Sequence, residues 1–413
     1  MIKDIIIIGG GASGLIASIY AAKSGNKVTI LEKNKTCGKK ILITGNGKCN
    51  YWNSNQALDN YHTNNKKILE EILTKENQQE LLKFFDSIGI IPKIKDGYYY
   101  PYSNQATSIQ TSLIKEAEIQ DVEIITETEV QNITKENDVF KIKTNNGTFI
   151  GNKIILSTGS KSCPKTGSDG IGYTLASYFD HSIIEPLPAL VQLKANEKYL
   201  KEWHGIRSDV SVSLIENNKL IDTQIGEIQL TDYGISGICI FNLSGQISRG
   251  LYEKKKEQIL INFLYPFKIN NKNEFINWMN ERNNKIINRN ISDLLDGILN
   301  YKLINLILKI SKIDRNKNWN NLNNNEKELL GTNLTNFILD ITGTNSFETS
   351  QVTTGGIPLT EINSNTMESL KTPGLYIIGE LLDVDGNCGG YNLTFAWITG
   401  YLAGSNIKGV TND

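Results

Sequence analysis

Only three histidines occur in the 413 residues, at positions 62, 181 and 204. None stands at metal-ligand spacing from a cysteine, which speaks against a metal centre. The five cysteines, Cys37, Cys49, Cys163, Cys239 and Cys388, are odd in number and scattered. They form neither a C-x-x-C pair nor a zinc pattern, so incidental or buried thiols are the simpler reading. Net charge is almost absent as well. Lys and Arg number 43 against 44 Asp and Glu, a balance of −1, which offers no general surface for a polyanion and predicts no nucleic-acid partner. No apolar run approaches the about 20 residues of a membrane span, so no membrane partner is expected. Met1 leads straight into a strand-like run with no room for a signal peptide, and the expected location is the cytoplasm.

What the chain does have is length and a core. At 413 residues, with 39% hydrophobic content, it predicts two or three domains around a large buried interior. Asn and Lys are over-used in surface segments, which reads as compositional bias.

The most informative stretch is the first. Ile5-Ile6-Ile7-Ile8 reads as a strand buried on both faces. Gly9, Gly11 and Gly14 then fit G-x-G-x-x-G at a strand-to-helix turn. Gly9 permits the tight turn, Gly11 lets the backbone approach a pyrophosphate, and Gly14 lets the helix pack on the strand. A helix over Ala12–Ser24, with Ala12 and Ser13 at its start, would aim its first N–H groups at the phosphates. A second strand over Asn26–Leu31 ends on Glu32, an acid placed to bind ribose hydroxyls. An acid there favours FAD or NAD over NADP; the competing reading is an ordinary glycine turn with a surface glutamate.

The loop after Glu32 carries Lys33, Lys39, Lys40, Thr44, Gly45, Asn46, Gly47, Cys49 and Asn50. Such residues supply N–H groups, amides and cations to a phosphate and a polar ring. Gly38-Lys39-Lys40 followed by Thr44-Gly45-Asn46-Gly47-Lys48-Cys49-Asn50 resembles the signature of the flavoprotein family of aminoacetone oxidases and 3-dehydro-bile-acid delta(4,6)-reductases, NAD(P)/FAD-dependent oxidoreductases that usually have Arg where Lys48 stands. The resemblance continues through Gln351–Pro358 and into Leu375–Leu393. It implies an α/β fold: a two-part Rossmann-like FAD domain of the glutathione-reductase type, with an inserted β-rich domain and a helical subdomain. The boundaries read as 1–188 for the first part of the FAD domain, 189–266 for the β-rich domain, 267–345 for the helical subdomain and 346–413 for the second part. Residues 270–341 read as helical and Asn-rich, and Lys66–Gly89 has helical periodicity.

The resemblance also implies site residues. Val130 would contact the adenine, Thr158 and Gly159 would lie by the pyrophosphate, and Gly379-Glu380 would end a strand with an acid for the ribitol chain. Tyr98-Tyr99-Tyr100-Pro101-Tyr102 either lines an aromatic pocket or packs an edge. Gly389-Gly390-Tyr391-Asn392-Leu393 opens the last helix, and N–H groups there would stabilise the negative charge of a reduced flavin. The alternative for this turn is a plain helix start. In the inserted segment the family's Thr-His-x-Gly-x-Ser-Gly-Pro pattern appears with Asp232 for the His and Ile238 for the Pro, so a histidine acid does not carry over.

These readings converge on an FAD-dependent oxidoreductase acting on a small-molecule substrate. Cys37 and Cys49 are too far apart for the redox pair of a disulfide reductase, and no second fingerprint exists for a resident NAD(P)H domain, so NAD(P)H would dock transiently. The leading expectation is reduction of an activated C=C bond of enone type, with Tyr391, Asp232 and Tyr233 as candidate proton donors. Amine oxidation by O₂, a flavin-binding module without turnover, and an RNA-modifying relative of the FAD fold are the alternatives.

Overall fold

The computed structural model of the chain describes residues 2–408; residues 1 and 409–413, the outer edges of the expected FAD domain, lie outside them. The chain separates into two compact units, residues 1–187 with 350–413, and residues 188–349.

In the first unit the isoleucine run forms the strand Lys3–Ile8, with Ile5, Ile6 and Ile7 wholly buried. It pairs in parallel with Val28–Leu31 on one side and with the second half of Gly147–Leu156 on the other. The sheet runs in the order Glu123–Ile125, Val28–Leu31, Lys3–Ile8, Gly147–Leu156, Val139–Thr144, Val130–Glu136. Leu375–Ile377 pairs in parallel with Gly147–Leu156, so a strand from near the end of the chain completes the sheet begun at residue 3. Helices Ala12–Lys23 and Tyr391–Asn406 lie against each other through glycine. A Cβ on Gly400 would sit 2.4 Å from the Ser13 carbonyl oxygen, and one on Gly404 would sit 2.5 Å from that of Ala17. Backbones approach this closely only where side chains are missing. The two ends of the chain thereby form one helix pair over one sheet.

The helical stretch expected over Lys66–Gly89 is two helices, Lys66–Ile72 and Lys75–Ser87. Thr74 interrupts them and caps the second, its side chain accepting from the Asn77 amide.

The second unit is a closed six-stranded barrel in the order Leu193–Ala195, Gly234–Ser236, Lys219–Leu230, Arg207–Glu216, Glu257–Asn262, Phe337–Thr344. Its long hairpin turns at Asn217-Asn218, with φ of 48° and 66°, the paired left-handed geometry that suits a two-residue loop. The expected helical subdomain needs correction at its end. Residues 337–344 are a strand that pairs with both Glu257–Asn262 and Leu193–Ala195 and so closes the barrel. Phe337, Leu339 and Ile341 are buried on alternate positions, a period of two that the surrounding Asn-rich helices obscured. The helices Lys272–Lys285, Ile291–Leu295, Tyr301–Ile310 and Asn324–Thr335 are inserted between two paired barrel strands and share its apolar core. Asparagine is also more than bias here. Asn271, Asn290, Asn300 and Asn323 each cap one of these four helices through the side chain.

Candidate functional site

The glycines of the first turn do different work. Gly9 holds φ +100°, and a Cβ there would meet the Ser157 carbonyl oxygen at 2.7 Å. A Cβ on Gly14 would lie 2.1 Å from the Gly9 carbonyl oxygen. Both are demanded by packing inside the protein. A Cβ on Gly11 would meet only the Ser157 carbonyl oxygen, at 3.9 Å, and otherwise faces open space. The helix that Gly11 caps has no side-chain cap and no acid in its first turn. Its first N–H groups are therefore left for an outside acceptor, and the dipole favours an anion. Ser13 is buried behind this turn, and Gly379, at φ +68°, leaves room for it: a Cβ would fall 2.5 Å from Ser13 Oγ. Ala12 is half-buried beside it.

Glu32 is 6% exposed and braces the turn. Its Oε2 accepts the Gly10 N–H at 2.8 Å, and its Oε1 accepts the Asn34 N–H at 2.8 Å and Asn34 Nδ2 at 2.7 Å. A carboxylate offers about four acceptor positions, so one remains for a ribose hydroxyl. A cleft of about 320 Å³ opens alongside, lined in part by Lys33, Asn34, Glu129, Asn145 and Lys165. Val130, next to Glu129, is buried at the start of its strand.

Each of the three lysines expected beside the cofactor has a protein partner. Lys33 pairs with Asp169 at 2.6 Å, Lys39 reaches Asn34 Oδ1 at 3.4 Å, and Lys40 pairs with Glu380 at 2.6 Å. The fold brings each beside an acceptor far away in sequence or in the same loop, which the sequence pattern does not reveal. Glu380 is the hub of a polar network that sequence reasoning missed. Its Oε1 accepts from Ser162 Oγ at 3.0 Å and from the Thr353 N–H at 3.2 Å. Ser160 Oγ lies 3.0 Å from Ser162 Oγ and accepts from Thr353 Oγ1 at 2.8 Å. The Ser-x-Ser spacing after Gly159 was its one local signal. Gly159 itself, at φ +72°, makes way for Ser168, while Gly172 lets its helix pack against Thr158 and Leu381. Tyr173, on that helix, is 5% exposed, and its hydroxyl is buried with no hydrogen-bond partner. Burial, reinforced by the Glu380 and Asp383 charges, pushes its phenol up. A buried donor left unpaired costs about 1–3 kcal/mol unless something polar meets it.

The loop at residues 44–50 is held by backbone conformation. Gly45, Asn46, Gly47 and Cys49 all have positive φ, and a Cβ on Gly45 would lie 2.7 Å from the Asn50 nitrogen. Thr44 Oγ1 donates to the Ile41 carbonyl at 2.7 Å. Cys49 is wholly buried and its thiol is pushed up to about 12 by burial, so it is inert. The Asn50 amide lies 2.9 and 3.1 Å from the carbonyls of Trp52 and Tyr99, which its nitrogen serves when the amide group is turned to face them.

The C-terminal turn packs on this loop's continuation. A Cβ on Gly389 would meet Tyr98 Cε1 at 2.5 Å, and one on Gly390 would meet the Trp52 carbonyl carbon at 2.7 Å. Close approach is thus one reason for the glycine pair. Asn53 Nδ2 donates to the Gly389 carbonyl at 2.9 Å, and the Asn392 side chain bridges both polar groups of the Gly386 backbone at 2.8 Å. Tyr391 opens the last helix, with Leu393 half-buried behind it. The Tyr391 ring stands edge-on to Tyr61 with centroids 5.5 Å apart, and burial pushes its phenol up to about 12. His62 belongs to no local motif. It lies opposite Asp385 in a two-stranded pairing, with Nδ1 3.2 Å from Asp385 Oδ2. The two are 323 residues apart, so no local pattern could join them.

Asp232 and Tyr233 belong to the second unit, both exposed at the turn before Gly234–Ser236. Asp232 lies 3.8 Å from His204 Nδ1. Among the described residues no cluster of His, Cys, Asp and Glu is fit to hold a metal, and no helix is long and apolar enough to cross a membrane.

The features of the first unit fit a flavin dinucleotide: an open-faced Gly11, an uncapped helix start, an acid with one acceptor position left, and the orphaned Tyr173 hydroxyl. The chain resembles known proteins over nearly its full length. The family model described as "HI0933-like protein Rossmann domain" matches residues 3–406. The 3-dehydro-bile acid delta(4,6)-reductase of Clostridium scindens is 38% identical over 400 residues, covering 96% of this chain and 97% of that protein. The ribosomal RNA dihydrouridine synthase of Escherichia coli is 27% identical over 406 residues, covering 98% of each. Among solved structures, a 3-ketosteroid-delta4-(5alpha)-dehydrogenase from Rhodococcus jostii aligns over 97% of this chain and 96% of that one, with 14% identity and a TM-score of 0.46.

Proposed function

The chain belongs to the HI0933-like Rossmann family and is an FAD-dependent oxidoreductase, and from that premise we propose that it reduces a C=C bond conjugated to a carbonyl in a small-molecule substrate, with NAD(P)H as the electron donor. The observation that carries this reading is the 38% identity, over nearly the full length of both chains, to a protein named for delta(4,6) reduction. The second relative's name points to the same chemistry on another scaffold, since dihydrouridine is uridine with its conjugated C=C bond reduced.

Bound FAD would supply the hydride, from N5. In this reading Gly11, Ala12, Ser13 and Gly14 receive the pyrophosphate on backbone N–H groups, Gly9, whose own N–H goes to the Leu31 carbonyl, shapes the turn, and Glu32 takes a ribose hydroxyl. Gly379 and Glu380 border the ribitol chain, with Glu380 oriented by Lys40, Ser162 and Thr353. Gly389, Gly390 and Asn392 hold the turn whose N–H groups meet the developing negative charge. Tyr391 is the proton donor within the first unit; Asp232 and Tyr233 are the alternatives in the second.

A ribosomal RNA substrate is the second reading, favoured by 27% identity over 98% of each chain. The near-zero net charge weighs against it, because phosphate backbones are bound by excess Lys and Arg. The test is anaerobic. FAD-loaded protein reduced with NADH or NADPH is mixed with cyclic enones, with uridine-containing rRNA, or with buffer, and flavin absorbance is followed. Reoxidation by enones, with saturated ketone as product, is the expected result. Reoxidation by rRNA alone moves the substrate to RNA. Flavin that ignores both, yet is reduced by amines and reoxidised by O₂, rejects the proposal in favour of an amine oxidase.

A further inference from the structure

The strand Tyr98–Pro101 sorts its tyrosines by face. Side chains alternate along a strand, so Tyr98 and Tyr100 share one side and Tyr99 takes the other. Tyr99 packs into the core, edge-on to Tyr51 with centroids 6.2 Å apart. Tyr98 and Tyr100 face the two glycine turns of the candidate site. The Tyr98 ring lies where a Cβ on Gly389 would be, 2.5 Å from Cε1, and Tyr100 Cε1 lies 3.6 Å from the Cβ position of Gly45. One strand therefore spans the residue 44–50 loop and the residue 386–393 turn. Tyr391 belongs to the same group: the Tyr98 phenol raises the phenols of both Tyr100 and Tyr391, adding to the effect of burial. Tyr98 and Tyr100 are only half-buried. Among the described residues, the hydroxyls of Tyr98, Tyr100 and Tyr391 have no hydrogen-bond partner in the protein. Three phenols along the two turns, none committed elsewhere, leave donors for an oxygen that the protein itself does not supply.

We propose that this cluster receives the carbonyl oxygen of the substrate, with the Tyr98 hydroxyl donating the hydrogen bond that polarises the conjugated C=C bond. The inference rests on the reading of this site as an FAD-dependent enone reductase. As hydride reaches the β-carbon, the π electrons move onto oxygen. Tyr98 stabilises the resulting enolate oxygen without losing its proton. A proton then adds at the α-carbon from Tyr391, the C=O bond re-forms, and the pair of electrons supplied by NAD(P)H ends in the new C–H bond. The substrate this site favours is a conjugated ketone whose oxygen enters between Tyr98 and Tyr391.

The test uses 4-chlorophenol, whose phenolate oxygen imitates the enolate. A phenolate stacked on oxidised flavin gives a long-wavelength charge-transfer band, so binding is read without turnover. FAD-loaded wild type, Tyr98→Phe and Tyr102→Phe are titrated; Tyr102 is 69% exposed and serves as the control. Tyr98→Phe keeps the ring against Gly389 and should retain FAD, while its Kd for 4-chlorophenol rises about tenfold or more, as expected for a lost hydrogen bond to a charged oxygen. Tyr102→Phe should bind as wild type does. Unchanged affinity in Tyr98→Phe, or no binding by wild type, overturns the proposal. Binding that depends on Tyr98 in a protein that reduces no enone would leave the oxygen site standing and remove the proposed reaction instead.

Discussion

Replacing Gly11 with alanine separates the cofactor reading from a merely structural one. Gly11 has φ −77° and ψ −163°, an extended conformation that alanine adopts without strain. The new methyl would meet only the Ser157 carbonyl oxygen, at 3.9 Å. Unfolding free energy of the apoprotein should thus be unchanged or rise by about 0.4–1 kcal/mol through loss of chain entropy in the unfolded state. The methyl points where a pyrophosphate must approach the helix start. Pushing the phosphate back sacrifices at least one hydrogen bond to a charged oxygen, worth about 1.5–3 kcal/mol. That is a rise in the FAD Kd of ~10- to 100-fold. Gly14→Ala is the contrasting variant, since its methyl would fall 2.1 Å from the Gly9 carbonyl oxygen and the turn itself must break. The assay pairs thermal unfolding of apoprotein with FAD titration followed by flavin fluorescence. A Gly11→Ala protein that binds FAD as tightly as wild type, or that unfolds as readily as Gly14→Ala, refutes the reasoning.

Other perturbations have equally definite outcomes. Glu257 is 2% exposed, neither carboxylate oxygen has a hydrogen-bond partner, and burial, with Glu216 nearby, raises its carboxyl from 4.5 to about 7. Its native state therefore prefers the proton: the contribution to stability is full below about 4.5 and is lost as pH rises through about 7, a swing of about 3 kcal/mol. Glu257→Gln should match wild type in denaturant melts at pH 5 and exceed it at pH 8; equal midpoints at both pH values would contradict this. Gly400→Val drives a side chain into the Ser13 backbone from a Cβ position 2.4 Å from its carbonyl oxygen. It should cost several kcal/mol, about 3 or more, and lower both the melting midpoint and bound FAD, measured on the same preparation. Lys40→Met removes the 2.6 Å partner of Glu380 and leaves a largely buried carboxylate with Ser162 and Thr353 alone. FAD affinity and the flavin reduction potential should both shift, whereas Lys39→Met, which removes only a 3.4 Å contact, should alter neither.

Much is legible in the sequence because it depends on neighbours in the chain. Four consecutive β-branched isoleucines ended by glycine read as a strand covered on both faces, and glycine at 9, 11 and 14 fits a turn that a Cβ would obstruct at two of the three positions. The loop signature and the returning Leu375–Ile377 strand likewise announced a dinucleotide fold closed by the far end of the chain. What the sequence could not disclose were partnerships across hundreds of residues. Lys40 and Glu380 stand 340 positions apart, His62 and Asp385 stand 323 apart, and only folding decides that each finds the other. The same holds for the strand at 337–344, whose period of two emerges once the barrel supplies an inside and an outside. The tyrosines at 98 and 100 are the sharpest instance. Local sequence makes them a strand, but it takes the Gly389 and Gly45 turns, brought in from either side, to give one face of that strand a chemical purpose.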